Sequence, residues 1–412
     1  MSSLLGHWPI DRIAQVTISN LTPDISVCNN FFRITDLDVY RSLFKKCNYS
    51  VGQHINSEKI SSICSYNSGK PQSTIKDMIQ NVMRNRLPIA ITARNFVWSI
   101  GKWKSRSFIK WLEDFSPDVV FFQSGHISLT FRIVEFICDH YKVPLLMQTT
   151  DDYLSSKFTI DPFFWYNLIS LRKWYNRFAK RSKAIFPIGD RMAEVYSSKF
   201  GGIYYPVMNS VTITDRVFER TNDIDELRFV YTGSLHSGRF NMLCHLAEKL
   251  HNMGGKYQKA HINVYSQVPP TPKEMKSISN LTNISYEGGL YNQHDVSEVQ
   301  QGGDVLIHVE SFRPRDKYIT RLSISTKIPE YMVSGTCILA IGPKDVASIK
   351  YITDQGFGFV ISDFSDADLI IDDLWCRNNR VRMRDRAFSI VKARHNMTCA
   401  RELITGIVMN QE

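Results

Sequence analysis

The stretch SISTKIPEYMVSGTCILAIGP, residues 323–343, reads as one short helix followed by one buried strand. Ser325 and Thr326 are suited to cap a helix, Pro329 belongs in its first turn, and Gly335 stops it. CILAIGP is then an unbroken apolar run without polar alternation, the pattern of a strand covered on both faces. The same grammar extends in both directions: DVVFFQ (118–123), VPLLMQ (143–148), AIFPIG (184–189), LRFVYTG (227–233), HINVYS (261–266), DVLIHVE (304–310) and FGFVIS (357–362) are strand-like. Amphipathic stretches such as FRIVEFICDHY (131–141) and LCHLAEKLHNM (243–253) lie between them. This alternation predicts an α/β chain of doubly wound, Rossmann-like domains, with parallel sheets covered by helices.

A chain of 412 residues with 43% hydrophobic content is too long for one core. The turn-rich segment 204–226, YYPVMNSVTITDRVFERTNDIDE, is the natural link between two domains, 1–208 and 209–386. Residues 387–412 read as closing helices that cross back to the first domain. The apolar runs fall far short of the roughly 20 residues of a membrane span. The first residues lack a basic region followed by an apolar one, so a cytoplasmic protein is expected. Eight cysteines without a CxxC pair suggest reduced thiols and no metal site.

The net charge of +10 is unevenly placed, with 26 Lys+Arg against 16 Asp+Glu through residue 210 and 24 against 24 beyond it. Residues 163–183, FFWYNLISLRKWYNRFAKRSK, carry six cations, no acid and many aromatics. Two readings stay open: an element resting on an anionic membrane surface, or a solvated basic face beside a core stripe of Trp165, Leu168, Leu171, Tyr175 and Phe178. No nucleic-acid module accompanies the charge, so nucleic acid is not an expected partner.

In open parallel sheets ligands bind beyond the carboxyl ends of the strands. In FVYTGSLHSGR (229–239) a strand runs into a glycine-bearing turn and then a helix. Gly233 permits close backbone approach, and Arg239 stands where a helix N-terminus would hold an anion. Lys327, in the first turn of its helix, works against the helix dipole unless an anion sits beside it. Glu330 is suited to accept two hydrogen bonds from a vicinal diol such as a ribose. From spacing alone, this pair is equally well an exposed i, i+3 ion pair next to core residues.

Four segments taken together, FVYTGSL, ISYEGGL (284–290), GGDVLIHVESF (302–312) and STKIPEYMVSGTCILAIGP, resemble the donor half of GT-B glycosyltransferases, specifically retaining glycosyltransferase family 4. The resemblance covers about 120 residues, with weaker likeness in the first half at DVVFFQSGH, LLMQTTDDY, AIFPIGDRMAEVY and YYPVMNSV. It implies two Rossmann-like domains facing a central cleft and a nucleoside diphosphate sugar as donor, without a bound metal or other cofactor. Arg239 and Lys327 would bind the diphosphate, Gly233 and Ser234 would line it together with Ser325 and Thr326, Glu330 would hold the ribose, and Gly288, Gly289, Leu290 and Tyr291 would pass near the base. The family's Glu-x7-Glu pair is broken, since Leu322 stands in the first position, which leaves the sugar hydroxyls to Ser323 or backbone amides. The basic pair of the glycine-rich loop is also halved, because Phe240 follows Arg239.

On the acceptor side, the resemblance matches His126 to a histidine facing the reacting sugar, where an imidazole would orient a hydroxyl or carry a proton. Asp151 and Asp152 end LLMQTTDDY, either to orient an acceptor or as turn residues. Asp36 with Asp38, and Asp366 with Asp368, match a DxD metal triplet in form only. Family members open with an apolar strand and glycine-rich loop, whereas MSSLLGHWPIDRIAQV resembles the helix and strand that follow, so an N-terminally extended chain is expected to be more active. The function expected is a retaining hexosyl transfer from a nucleotide sugar to a glycan or lipid-linked acceptor in surface polysaccharide synthesis, at the inner face of the membrane. The alternatives are a sugar-nucleotide epimerase of the same architecture and a non-catalytic nucleotide-sugar-binding or membrane-docking protein.

Overall fold

The computed structural model describes residues 2–19, 25–44, 51–56, 87–155, 159–213 and 226–409. The chain forms two compact units: residues 1–187, 195–205 and 401–412 make the first, and 188–194 with 206–400 make the second. The linker stretch 204–226 therefore contributes Tyr204 and Tyr205 to the first unit, and residues 214–225 lie outside the described residues. The closing helix Met397–Met409 starts in the second unit and ends in the first, where His7 Nε2 meets Thr405 Oγ1 at 2.9 Å.

The first unit holds β1 (Ala14–Thr17), β2 (Asn30–Arg33), β3 (Gln53–Asn56), β4 (Val120–Ser124), β5 (Leu145–Thr149) and β6 (Ala184–Pro187). They form two three-stranded sheets, β1-β2-β3 and β4-β5-β6. Every pairing is parallel except β2 with β3. The antiparallel β3 departs from the all-parallel expectation; as an edge strand it is free to run either way. Each sheet contributes to one core around Phe32, Trp111, Leu129 and Ile133, on which Ala14, Val16 and Val120 pack.

The second unit has one sheet of β7 (Arg228–Thr232), β8 (His261–Tyr265), β9 (Ile284–Gly288), β10 (Val305–Val309), β11 (Cys337–Ile341) and β12 (Phe359–Ile361). All its pairs are parallel, in the order β12-β11-β10-β7-β8-β9. This is the doubly wound order, and its winding reverses between β7 and β10, where a crevice opens beyond the carboxyl ends. Strands β10 and β11 are buried at all five positions, as CILAIGP and DVLIHVE imply. Helices on both faces supply two cores, one around Phe240, Leu243 and Ile371, the other around Ile328, Tyr331 and Ile349.

Candidate functional site

Thr232 ends β7, and the chain then turns through Gly233, Ser234, Ser237 (φ 63) and Gly238 (φ 75) into the helix Arg239–Met253. Tyr231 Oη donates to Ser234 O at 2.6 Å and Gly233 N to Tyr265 O at 2.9 Å, which fixes the turn. A left-handed Gly238 at the N-cap brings no side chain to the helix end, and no side-chain cap closes it. Arg239 N donates to His236 O at 3.4 Å, and the other first-turn amides of this 15-residue helix have no side-chain cap at the sheet's reversal point.

Lys327 reaches this turn from the helix Lys327–Val333. Its Nζ donates to Thr232 O and stands 5.8 Å above the Tyr231 ring. A Cβ on Gly233 would collide with that ammonium, so glycine is required there for the lysine to arrive. Burial, followed by the nearby charge of Arg239, lowers the Lys327 pKa to about 8, with Glu330 opposing. Glu330 is half-buried; burial raises its pKa and Lys327 pulls the other way. Thr326 takes the N-cap position, but with helical φ/ψ and no side-chain cap bond, contrary to the capping role read from the sequence. Ser325 does part of that work, its Oγ accepting from Lys327 N at 3.4 Å.

Arg239 is held from below by Glu310, one residue beyond β10, with Nη2 to Oε2 at 3.8 Å. The Glu310 side chain is 3% exposed. Burial alone would raise its pKa, but the hydrogen bond and charge of His308 (Nε2 to Oε1, 3.1 Å), together with Arg239, bring it below the ordinary carboxylate range. A buried carboxylate of this kind fixes the guanidinium above it. Arg239 Nε has no hydrogen-bond partner among the described residues. A second guanidinium completes the rim: Arg313 lies against Gly238, where a Cβ would fall 2.9 Å from its Nε and 3.0 Å from Cζ. Arg313 is exposed and pairs with no carboxylate among the described residues. Neither Glu310 nor Arg313 is singled out by the sequence reading; HVESFR, a buried strand ending on a charge followed by an arginine, is the signal that carries both.

Gly233, Ser234, Arg239 and Lys327 are thus gathered at the ends of β7 and β10. Gly288 (φ 94) ends β9 and Gly289, Leu290 and Tyr291 follow it, at the far edge of the sheet, where Leu290 O accepts from Gln267 Nε2 at 3.1 Å and Tyr291 is 80% exposed. Leu322 is a core residue, 1% exposed, and Ser323 Oγ is buried without a hydrogen-bond partner among the described residues.

In the first unit, His126 follows β4 and its ring lies 5.5 Å from that of Tyr153, whose Oη donates to Asp151 Oδ2 at 2.9 Å. His126 and Asp151 thus share one cluster. Asp152 is turned away, accepting from Tyr196 Oη at 2.7 Å and Ser155 N at 3.1 Å, so it acts as a tie between loop and helix. Asp36 receives Arg94 Nε and Trp98 Nε1, both at 2.7 Å, and Asp38 receives Thr35 N at 3.0 Å. Asp368 pairs with Lys249 at 2.6 Å. These aspartates are bound up in packing and capping.

Residues 162–181 form a single helix. Leu168, Leu171, Tyr175 and Phe178 are buried as the core-stripe reading has it, but Trp165 is 36% exposed and donates Nε1 to Thr159 O at 2.9 Å. Arg177 and Arg181 pair with Glu135 and Asp139, each at 2.7 Å, while Arg172 Nε donates to Leu154 O. Three neighbouring helices turn apolar stripes outward: Leu37, Tyr40 and Phe44; Ile89, Phe96 and Ile100; Tyr166 and Ile169. Asp36 ties the first helix to the second, and Asn167 Nδ2 ties the third to Pro88 O at 2.8 Å. No described helix is long and apolar enough to cross a membrane.

No family model matches the chain, and no curated protein matches it. Solved structures do. TarM is similar over 73% of this chain and 57% of its own, with a TM-score of 0.53 and 14% identity. A point mutant of S. aureus TarM, solved with fondaparinux, alpha-GlcNAc-glycerol and UDP, gives 0.52 and 13% identity over 73% of this chain and 58% of that one. An alpha,alpha-trehalose 6-phosphate synthase from Burkholderia multivorans gives 0.51 and 9% identity over 76% and 79%. The chain spans little more than half the length of TarM. The fold is that of the GT-B glycosyltransferases.

Proposed function

We propose that the protein is a retaining glycosyltransferase that takes a sugar from a nucleoside diphosphate donor and passes it to a glycan or lipid-linked acceptor. The observation that carries this is the convergence of Lys327, Arg239 and Arg313 on the uncapped end of the Arg239–Met253 helix, at the reversal point of the second unit's sheet. Three cations and free amides there suit a diphosphate, whose negative charge grows as the glycosidic bond to it breaks. Arg313 takes the place of the second basic residue that the glycine-rich loop lacks. Glu330, beside Lys327, accepts the ribose hydroxyls. UDP in the TarM complex supports a nucleoside diphosphate as the ligand class, and its fondaparinux supports a glycan acceptor.

The first unit supplies His126 and Asp151 to the acceptor. We assign its outward apolar stripes, flanked by the exposed cations Arg41, Lys173 and Lys180, to an anionic membrane surface where a lipid-linked acceptor would reside. Calorimetric titration with UDP, GDP and ADP tests the donor site. At least one should bind, and Lys327→Ala should weaken it tenfold or more, about 1.4 kcal/mol. No binding by any of the three, or equal affinity in the variant, would refute the assignment. Product analysis with nucleotide sugar alone separates transfer from epimerisation, which needs no acceptor.

A further inference from the structure

Three other lysines of the second unit end on carboxylates: Lys249 meets Asp368 at 2.6 Å, and Lys317 and Lys350 meet Asp345 and Asp354 at 2.7 Å. Lys327 does not. Its Nζ donates to the Thr232 carbonyl and stands over the Tyr231 ring, and no carboxylate hydrogen-bonds it among the described residues. An ammonium withdrawn from water and set beside another cation is the setting that turns a lysine into an amine nucleophile. Both conditions are met here, since burial and then Arg239 bring the pKa down to about 8, with Glu330 opposing. At pH 7 roughly one Lys327 in ten is therefore the neutral amine, roughly three hundred times the fraction for a lysine of ordinary pKa.

The surroundings select what this amine meets. Arg239, Arg313 and the start of the Arg239–Met253 helix, which has no side-chain cap, stand at the same turn and suit a phosphate. Gly233 lets Nζ reach that turn, because a Cβ there would collide with it. An anion hold and a nucleophile thus share one glycine-bearing loop.

We propose that Lys327 is a covalent modification site for small phosphorylated aldehydes, which form an imine there and take the place of the nucleotide's diphosphate. This rests on the reading of the turn as a phosphate site. In the step, the neutral Nζ adds to the aldehyde carbon. The C–N bond forms, and the two amine hydrogens leave with the carbonyl oxygen as water. The imine nitrogen then takes a proton from solvent, and its single N–H keeps the hydrogen bond to Thr232 O. Addition of water reverses the step, and no oxidant or reductant enters it. Adduct and nucleoside diphosphate exclude one another, since both need Arg239 and the helix start, so an aldehyde phosphate is a reversible inhibitor of this site.

The test exposes the full chain to pyridoxal 5'-phosphate or to pyridoxal, fixes imines with borohydride, and reads the label on each lysine by peptide mass spectrometry. Pyridoxal 5'-phosphate should label Lys327 at least about tenfold faster than the exposed Lys110 and Lys256. Pyridoxal, which lacks the phosphate, should label Lys327 at least about tenfold more slowly than its phosphate ester. Inorganic pyrophosphate should suppress the reaction at Lys327 and leave the reference lysines unchanged. Lys327→Arg keeps the positive charge and should lose the imine absorbance while still binding pyridoxal 5'-phosphate reversibly. Labelling of Lys327 no faster than the reference lysines, equal rates with pyridoxal, or no suppression by pyrophosphate would overturn the proposal. Nucleoside diphosphate binding with an unlabelled Lys327 would sink this inference alone, and a labelled Lys327 in a chain that binds no nucleoside diphosphate would sink the donor-site reading alone.

Discussion

Raising the pH from about 7 to about 9 should release the nucleotide through one residue, Lys327. Its ammonium is buried over Gly233 next to Arg239, which brings its pKa down to about 8. The free protein therefore holds that proton in about nine molecules of ten at pH 7 and about one in ten at pH 9. A diphosphate against the ammonium restores the proton, so binding above the free pKa takes one up. Affinity should fall about tenfold over this interval, about 1.4 kcal/mol. The last phosphate proton leaves near pH 6, outside the window. The sign for folding is opposite. A lysine whose folded pKa lies below its unfolded value is bound to fewer protons in the native state, so the unliganded protein gains stability as pH climbs from about 8 towards about 10.5. Titration calorimetry in parallel with thermal unfolding reads the two slopes separately. Lys327→Met should bind at least about tenfold more weakly at pH 7 and show no further loss at pH 9. A dissociation constant flat between those pH values in the native protein, or a variant that keeps the pH slope, would refute the reasoning.

Glu330→Ala should weaken nucleoside diphosphate binding at least about tenfold while leaving inorganic pyrophosphate affinity within about twofold, because only the former carries a ribose; equal losses for both would remove the ribose assignment. Arg313→Ala should weaken both ligands about fivefold or more without a change in Tm, since the side chain is exposed and has no acidic partner among the described residues; unchanged affinity would remove Arg313 from the site. Glu310→Ala removes the carboxylate under Arg239 and should cost about 2–3 kcal/mol in urea unfolding together with a loss of nucleotide affinity; a stable variant with native affinity would contradict the positioning role. His395, fully buried with Nδ1 donating to Asn209 O and Nε2 accepting from Tyr351 Oη, has its pKa lowered to about 4, chiefly by burial. It is neutral in the fold and protonates first in the unfolded chain, so about 3 kcal/mol should be lost as pH falls from about 6.5 to about 4, and His395→Gln should flatten that profile. Phe96→Asp and Ile100→Asp should each reduce sedimentation with vesicles of mixed anionic and zwitterionic phospholipid, with binding of the native chain weakened by salt; salt-independent binding or unaffected variants would count against the membrane face.

What the sequence makes legible follows from how each feature is encoded. The strands CILAI and VLIHV are all apolar because both faces are covered, so their burial is written into five consecutive letters. Strands β2 and β3, NFFR and QHIN, are four residues each of mixed polarity, β2 burying even Arg33, and so short a mixed run does not stand out from a loop. The same distinction runs through the site. Gly233 and Lys327 are recognisable because turn and helix-end chemistry is local in sequence, and the structure joins the lysine to the turn across 95 positions through the Thr232 carbonyl. Glu310 and Arg313 share only the short signal HVESFR, which does not say what either one faces. Their roles arise only when β10 is placed beside β7, which sets a buried carboxylate beneath Arg239 and a guanidinium over Gly238. A halved basic pair in the loop is therefore no measure of the charge at the site: a neighbouring strand end can supply in space the cation that the glycine-rich segment lacks in sequence.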